Sequence, residues 1–428
     1  MPVRKVLVLF LLLLCVLSCS DSGSGSRVVP DVVGKGEKAD KTLLIYMMAE
    51  NSLNNYAGYD VEEILSAAAD VPNDCRLFVY VDDNKFPTIT QYFRMTDGSV
   101  GSSVFHPFDN DVCSSDVSSL AEVLDFILKD YPTESLDLVL WSHADGWLRG
   151  PLNAAPQRSI GIDNGKNTFS NTITNTIEME ELAALLEDLP VKVNRLMFDA
   201  CFMQCVESSY ALRHAADWLI ASPAEIPADG APYATVVPQF FFSDGPEGIM
   251  DAYIKEYETE SAGAVLSVVS LKDMQHLADA TYANVIKYFN VDKKRDYVDV
   301  FSYLPGGKYT GSKTYPSYFD MNAVMLKYLT PSEYAYWREA FDKAVRYVSS
   351  SHKWYSAICG RMIGYDTIVA GGISLYMPSV HSRNQQFNSD FRTTEWYSAA
   401  GWNEAGWLQI LINTKNDRRF LSFFCIWF

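Results

Sequence analysis

Short, almost wholly apolar runs alternate along this chain with segments whose apolar residues recur at helical spacing. No other feature limits the fold as much. The runs are TLLIYMM (Thr42–Met48), RLFVYVDD (Arg76–Asp83), LDLVLWSH, NRLMFDAC, DWLIAS and AVLSVVSL. Between them stand NYAGYDVEEILSAAA, SLAEVLDFILKDY, MEELAALLEDL and VESSYALRHA, each patterned as an amphipathic helix. A strand that is apolar on both faces is buried on both, as in a parallel sheet with helices packed on each side. The expectation is an α/β fold with a mostly parallel central sheet and helices on both faces.

The 428 residues are 48% hydrophobic and 21% charged, enough apolar material for a large core. The formal net charge of −18 argues against nucleic acid as a partner, since neutralising phosphates takes a basic face. It suits a protein that attracts cationic substrates. The chain starts with Arg4 and Lys5, an apolar stretch from Val6 to Leu17, then small residues, which is the layout of an export signal. Its end, VLSC, resembles a bacterial lipobox, with cleavage before Cys19 and a lipid on that thiol. We read it as a lipoprotein signal because the flexible, polar SDSGSGS follows at once. The expected organisation is a signal over 1–18, a tether over 19–40, the main folded domain over 41–380 and a C-terminal loop and helical extension over 381–428. Such a protein is exported and membrane-anchored through its N-terminal lipid alone, periplasmic or at the cell surface, and expected to be a monomer.

Six cysteines remain after Cys15 and Cys19, sparse and without framework spacing, so a disulfide-built scaffold is not expected. There is no CxxC, HExxH or GxSxG, which removes the support for a zinc site, a zincin or a serine hydrolase. One connection stands out: the Gly-, Asn-, Ser- and Thr-rich segment between His143 and Met179 is too long for an ordinary turn.

Two of the apolar runs end alike. DLVLWSHADGW ends on His143 and NRLMFDACFMQCVE on Cys201. In open parallel sheets ligands bind outside the carboxyl ends of the strands, so both residues are expected on one edge. A cysteine attacks as its thiolate, and a nearby histidine takes the thiol proton and later delivers it to the leaving amine. Cys201 is read as the start of the helix FMQCVESSYALR, whose N-terminus would lower the thiol pKa. Backbone N–H groups of Ala144 and of Cys201 itself are the candidate oxyanion donors. Spacing alone equally allows Cys201 as a small core residue and His143 as a satisfied polar one. Asp199, two residues before Cys201, either faces a cationic substrate side chain or caps the following helix.

LVLWSHADGW and LMFDACFMQCVE resemble the histidine and cysteine motifs of the clostripain-like cysteine peptidases, family C11, which have the caspase-like fold. TLLIYMMAENSLNNY, LIASPAEIPADGAPY and GGISLYMP resemble that family's first strand and Asn-containing loop, its cleft-lining loop and its closing strand. The resemblance runs from about Lys41 to Pro378. It implies His143 as general base, Cys201 as nucleophile of a dyad, and Asp199 in a pocket for a P1 Arg or Lys. It implies peptide or protein substrates and self-cleavage within 149–178, after Arg149, Arg158 or Lys166. No cofactor is needed for the chemistry, although some members respond to calcium, for which the acidic VDDN at Val81–Asn84 is a candidate. The family commonly has glycine directly after the histidine, where this chain has Ala144 and then Asp145. Two other readings were weighed. One is a catalytically silent homologue acting as a surface binding lipoprotein, which the retained His143 and Cys201 disfavour. The other is a carbohydrate-capture protein, for which the aromatic content speaks only weakly.

Overall fold

The computed structural model describes residues 28–406, apart from 84, 149–150, 153–154, 157–158, 166–175, 259–261, 292–296, 298, 306, 310–311, 315–316 and 379–384. Nine strands form one sheet: β1 (Ala39–Met48), β2 (Cys75–Asp82), β3 (Thr88–Arg94), β4 (Val100–Phe105), β5 (Thr133–Trp141), β6 (Val193–Asp199), β7 (Ala216–Ala221), β8 (Val265–Ser270) and β9 (Val345–Ser350). In space they run β9-β8-β7-β6-β5-β1-β2-β3-β4. The central strands β7, β6, β5, β1 and β2 are parallel. Both edges are antiparallel, β2-β3-β4 on one side and β7-β8-β9 on the other.

Here the sheet departs from the expectation for AVLSVVSL, which is β8 and runs against its neighbour. Two helices, Tyr233–Phe242 and Glu247–Tyr257, connect β7 to β8. An even number of passes returns the chain to the edge it left, so the next strand must run backwards. An apolar run encodes burial on two faces and says nothing of direction.

The two faces divide residue by residue, as period two requires. From β1, Leu44, Tyr46 and Met48 pack with α2 (Val117–Asp130), α3 (Met179–Glu187), α4 (Val206–Ala211) and α7 (Met274–Tyr288). Leu43, Ile45 and Met47 pack with α1 (Asn54–Ala67), α5 (Tyr233–Phe242) and α6 (Glu247–Tyr257). Midway along β5 and near the start of β6 the buried Arg195 guanidinium clasps Asp137, with Nε 2.9 Å from Oδ1, and also reaches the Phe240 carbonyl. Arg195 stands opposite Asp137 in the ladder. An unpaired charge left there costs about 3–5 kcal/mol, so the pair holds the register of the two strands that matter most.

Two expected boundaries shift. Residues 30–37, read as tether, are tied to the domain: Arg94 pairs with Asp31, and the Arg76 guanidinium holds the carbonyls of Gly34 and Glu37. In the segment read as an extension, Phe391, Trp396, Trp402 and Ala405 are buried in the main core. Polar residues between these anchors hide them in the sequence. Cys19 and the signal, with residues 407–428, lie outside the described residues. Among the described residues no helix is long and apolar enough to cross a membrane.

Candidate active site

β5 and β6 are neighbours, and Trp141 stands opposite Asp199. β5 ends at Trp141 and β6 at Asp199, and His143 and Cys201 each follow two residues later. Adjacent strands lie about 4.8 Å apart, so the shared edge expected from the sequence is realised. The loop after β1 closes the site from the other side. The Asn51 amide donates to the carbonyls of Met48 and Ile162, each at 2.8 Å, and Ser52 Oγ lies 2.8 Å from His143 Nε2. Ser142, just before the histidine, donates to the Met48 carbonyl.

Cys201 is half-buried, in a turn rather than at a helix start. α4 begins only at Val206, with Cys205 as its N-cap. The expected help from a helix N-terminus is therefore missing. Burial pushes the Cys201 thiol up to about 12; the Ile226 N–H, 3.5 Å from the sulfur, opposes this, and the charges of Glu225, Asp145 and Asp199 add to it. At rest Cys201 is therefore a thiol, and a thiol has to lose its proton before it can attack.

The backbone after Cys201 is held in an uncommon state. Phe202 has φ of 60°, fixed by its N–H on the Ala224 carbonyl at 2.9 Å. Its ring stacks on Tyr318 at 4.3 Å, and the Tyr318 hydroxyl donates to the Asp145 carbonyl at 2.9 Å. Tyr318 thus clamps the histidine loop to the cysteine loop. A non-glycine residue in this region costs about 1–3 kcal/mol, which the surrounding contacts must offset. Gly146 sits against the same turn with φ of +70°; a Cβ there would meet the Phe202 carbonyl at 2.9 Å. Only glycine suits both the angle and the space.

Asp199 does not cap the helix. It is 3% exposed, and its Oδ2 accepts from Ala231 N–H and the Tyr233 hydroxyl, each at 2.9 Å. Its Oδ1 is buried and lies apart from those two donors, and the buried Tyr253 hydroxyl also acts on the carboxylate, lowering its pKa. Burial pushes its pKa up to about 6 against those donors. A second acid shares the place. Asp60 of α1 is 3% exposed, accepts from Trp141 Nε1 at 2.8 Å, and is pushed up to about 9, first by burial and then by Asp199. The Gly230 backbone passes between them: a Cβ there would lie 2.8 Å from Asp199 Oδ2 and 3.5 Å from Trp141 Nε1. Asp229, the next residue, is exposed and adds its charge near Asp60.

The sequence reading missed Ser52, Tyr318, Asp60 and Glu225. Asp60 had left a signal, since it lies on one face of α1 with Ala57, Ile64 and Ala67, an acid within an apolar stripe. Glu225 holds the Ile358 N–H of the turn between strands Lys353–Ser356 and Arg361–Gly364, and its neighbour Ile226 contacts the Cys201 sulfur.

From the acidic VDDN run, Asp82 gathers with Glu50 and Asp111, one oxygen of each within 4.8 Å of the others. Asp83 instead pairs with Lys85 at the surface, and Asn84 lies outside the described residues. Burial and the neighbouring Asp163 charge push Asp82 and Asp111 upward, as expected of like charges brought together. Their hard oxygen donors fit a calcium ion. Arg149, Arg158 and Lys166 lie outside the described residues.

A thiol and an imidazole at the carboxyl ends of adjacent parallel strands, in a sheet covered on both faces, define a cysteine hydrolase of the caspase-like type. The chain matches the model of the clostripain family, peptidase family C11, over residues 45–411. It belongs to that family of cysteine peptidases. Among solved structures it is similar to a secreted C11 cysteine protease from Bacteroides thetaiotaomicron in complex with an irreversible peptide inhibitor, with 27% identity, a TM-score of 0.72, and coverage of 86% of this chain and 100% of that one. An inactive zymogen C11 protease from Parabacteroides distasonis is 25% identical, with a TM-score of 0.70 and coverage of 85% and 99%. A comparison with curated protein sequences gives no match.

Proposed function

We propose that this peptidase is an exported, lipid-anchored endopeptidase that cleaves after arginine or lysine. Cys201 is the nucleophile and His143 the base that takes its proton. The backbone N–H groups of Ala144 and Cys201 hold the developing oxyanion. The observation that carries the specificity is Asp199: a buried carboxylate two residues before Cys201, with one oxygen not taken up by the Ala231 and Tyr233 donors. A buried acid in that state is stabilised by a cation, and a P1 guanidinium or ammonium supplies one. The net charge of −18 acts in the same direction. The inhibitor in the Bacteroides relative is a peptide, in keeping with a peptide substrate here. Self-cleavage after Arg149, Arg158 or Lys166 and lipidation of Cys19 complete the reading.

The test is a panel of fluorogenic peptides ending in Arg, Lys, Asp or Leu, with a gel of the purified protein alongside. Turnover confined to Arg and Lys is the expected result, together with two fragments on the gel. Turnover of Leu or Asp peptides at equal rates would sink the basic-pocket reading.

Calcium enters the same proposal through Glu50, Asp82 and Asp111. Asp82 titrates above its ordinary range, so an arriving cation must displace its proton and binds more tightly as pH rises. The melting temperature is expected to rise by several degrees in calcium over EDTA, because a ligand of the native state stabilises it by mass action. Asp82→Asn, which replaces a largely neutral acid by a neutral amide, is expected to fold and to lose the calcium response. An equal rise in that variant would discard the site.

A further inference from the structure

We propose that Ser52 is a positioning residue for His143: its hydroxyl holds Nε2 and so assigns Nδ1 to the thiol of Cys201. This rests on the Cys201–His143 dyad proposed above. The observation is the 2.8 Å contact between Ser52 Oγ and His143 Nε2. An imidazole has two nitrogens, and which one carries the proton is set by the bond the other makes. With the Ser52 hydroxyl as acceptor for Nε2–H, the lone pair stands on Nδ1, where the reaction needs it. When Nδ1 takes the thiol proton the ring becomes a cation, and the same hydroxyl still accepts from Nε2. A hydroxyl therefore serves the ring before and after the transfer without having to move.

Ser52 is exposed, so its own packing does not fix it; its neighbours do. The Asn51 side chain donates to Met48 and Ile162 carbonyls, and its Oδ1 accepts from the Leu53 N–H at 2.8 Å. The Asn164 N–H donates to the Glu50 carbonyl at 2.9 Å. The residues on both sides of Ser52 are thus pinned to the end of β1 and to the segment 161–164. That segment in turn holds the histidine, since the Gly161 N–H donates to the His143 carbonyl at 3.0 Å. The serine and the imidazole are presented by one braced unit.

The experiment compares Ser52→Ala and Ser52→Thr with wild type on an Arg peptide. It also records ¹⁵N NMR of labelled histidine in a Cys201→Ala background, with His143→Ala to assign the signal. A solvent-exposed hydrogen bond is worth about three- to tenfold in an equilibrium. We expect kcat to fall by that factor in Ser52→Ala with KM unchanged, and Ser52→Thr to recover most of it. We expect the His143 ring to be the Nε2–H form with serine present and a mixture of both forms with alanine. A kcat for Ser52→Ala within twofold of wild type overturns the proposal, as does an unchanged tautomer. Equal losses in Ser52→Ala and Ser52→Thr also overturn it, since they would point to the loop rather than the hydroxyl. Turnover that survives Cys201→Ala would strike the dyad itself, a separate outcome read from a separate variant.

Discussion

Cys201→Ala is expected to remove peptide cleavage, with kcat/KM for Arg peptides falling by about 10⁴-fold or more, as when any nucleophile of this kind is deleted. The same variant should keep its melting temperature within a few degrees, because the side chain is half-buried and small. Cys205 supplies the internal control. It lies four residues on in the same motif, is 1% exposed, and donates from its thiol to Ser208. No substrate reaches it, so Cys205→Ala should retain activity within a few-fold. If instead Cys205→Ala abolished turnover in a folded protein and Cys201→Ala did not, the assignment of the nucleophile would be wrong.

The state of the thiol adds a second observable. Burial and three nearby carboxylates push Cys201 up to about 12, so at neutral pH the resting protein holds almost no thiolate. Alkylation by iodoacetamide should be slow at pH 7 and climb steadily toward pH 10 with no plateau near neutrality. A plateau near pH 6 would mean a preformed thiolate–imidazolium pair. On the proposed dyad, deprotonation then belongs to the catalytic cycle, with His143 taking the proton while a bound cation offsets Asp199.

Much of this site was legible because strands buried on both faces write themselves as apolar runs, and His143 and Cys201 each close one. Their adjacency was not legible. It depends on Trp141 lying opposite Asp199, a pairing between residues far apart in sequence. The helix expected to start at Cys201 failed for a local reason: Phe202 takes a left-handed backbone, and no regular helix passes through it. Tyr318 was out of reach altogether, because the segment around it has no strong period, and its role comes from a stacked ring and one hydroxyl. Asp60 could have been read as an acid in an apolar stripe, but only the fold brings it to Asp199. The chemistry-bearing pair was local information. The residues that tune it come from elements that meet only in three dimensions.

Asp199→Asn is the change expected to separate specificity from chemistry. It keeps the shape and, with its amide oxygen in the place of Oδ2, can still accept from Ala231 and Tyr233, but it removes the charge proposed to face a P1 cation. Losing one member of a desolvated charge pair costs about 2–5 kcal/mol, so kcat/KM for Arg and Lys peptides should drop by about 10²- to 10³-fold. Peptides with a neutral P1 should lose little, and their already low rates should approach those for Arg. The pH dependence follows from the same carboxylate. Its folded pKa is about 6, raised by burial, so it is charged above that value and neutral below it. In wild type, selectivity for Arg over a neutral P1 residue should therefore be full at pH 8 and fade as pH falls through 6. Asp60 does not replace it at neutral pH, because burial and the Asp199 charge push it up to about 9 and keep it protonated. In Asp199→Asn the neighbouring charge is gone, so Asp60 ionises at a lower pH than in wild type and a remnant of Arg preference should appear on the alkaline side. Selectivity that stays flat from pH 5 to 9 in wild type would remove Asp199 from the pocket, whatever the Asn variant did to the rate.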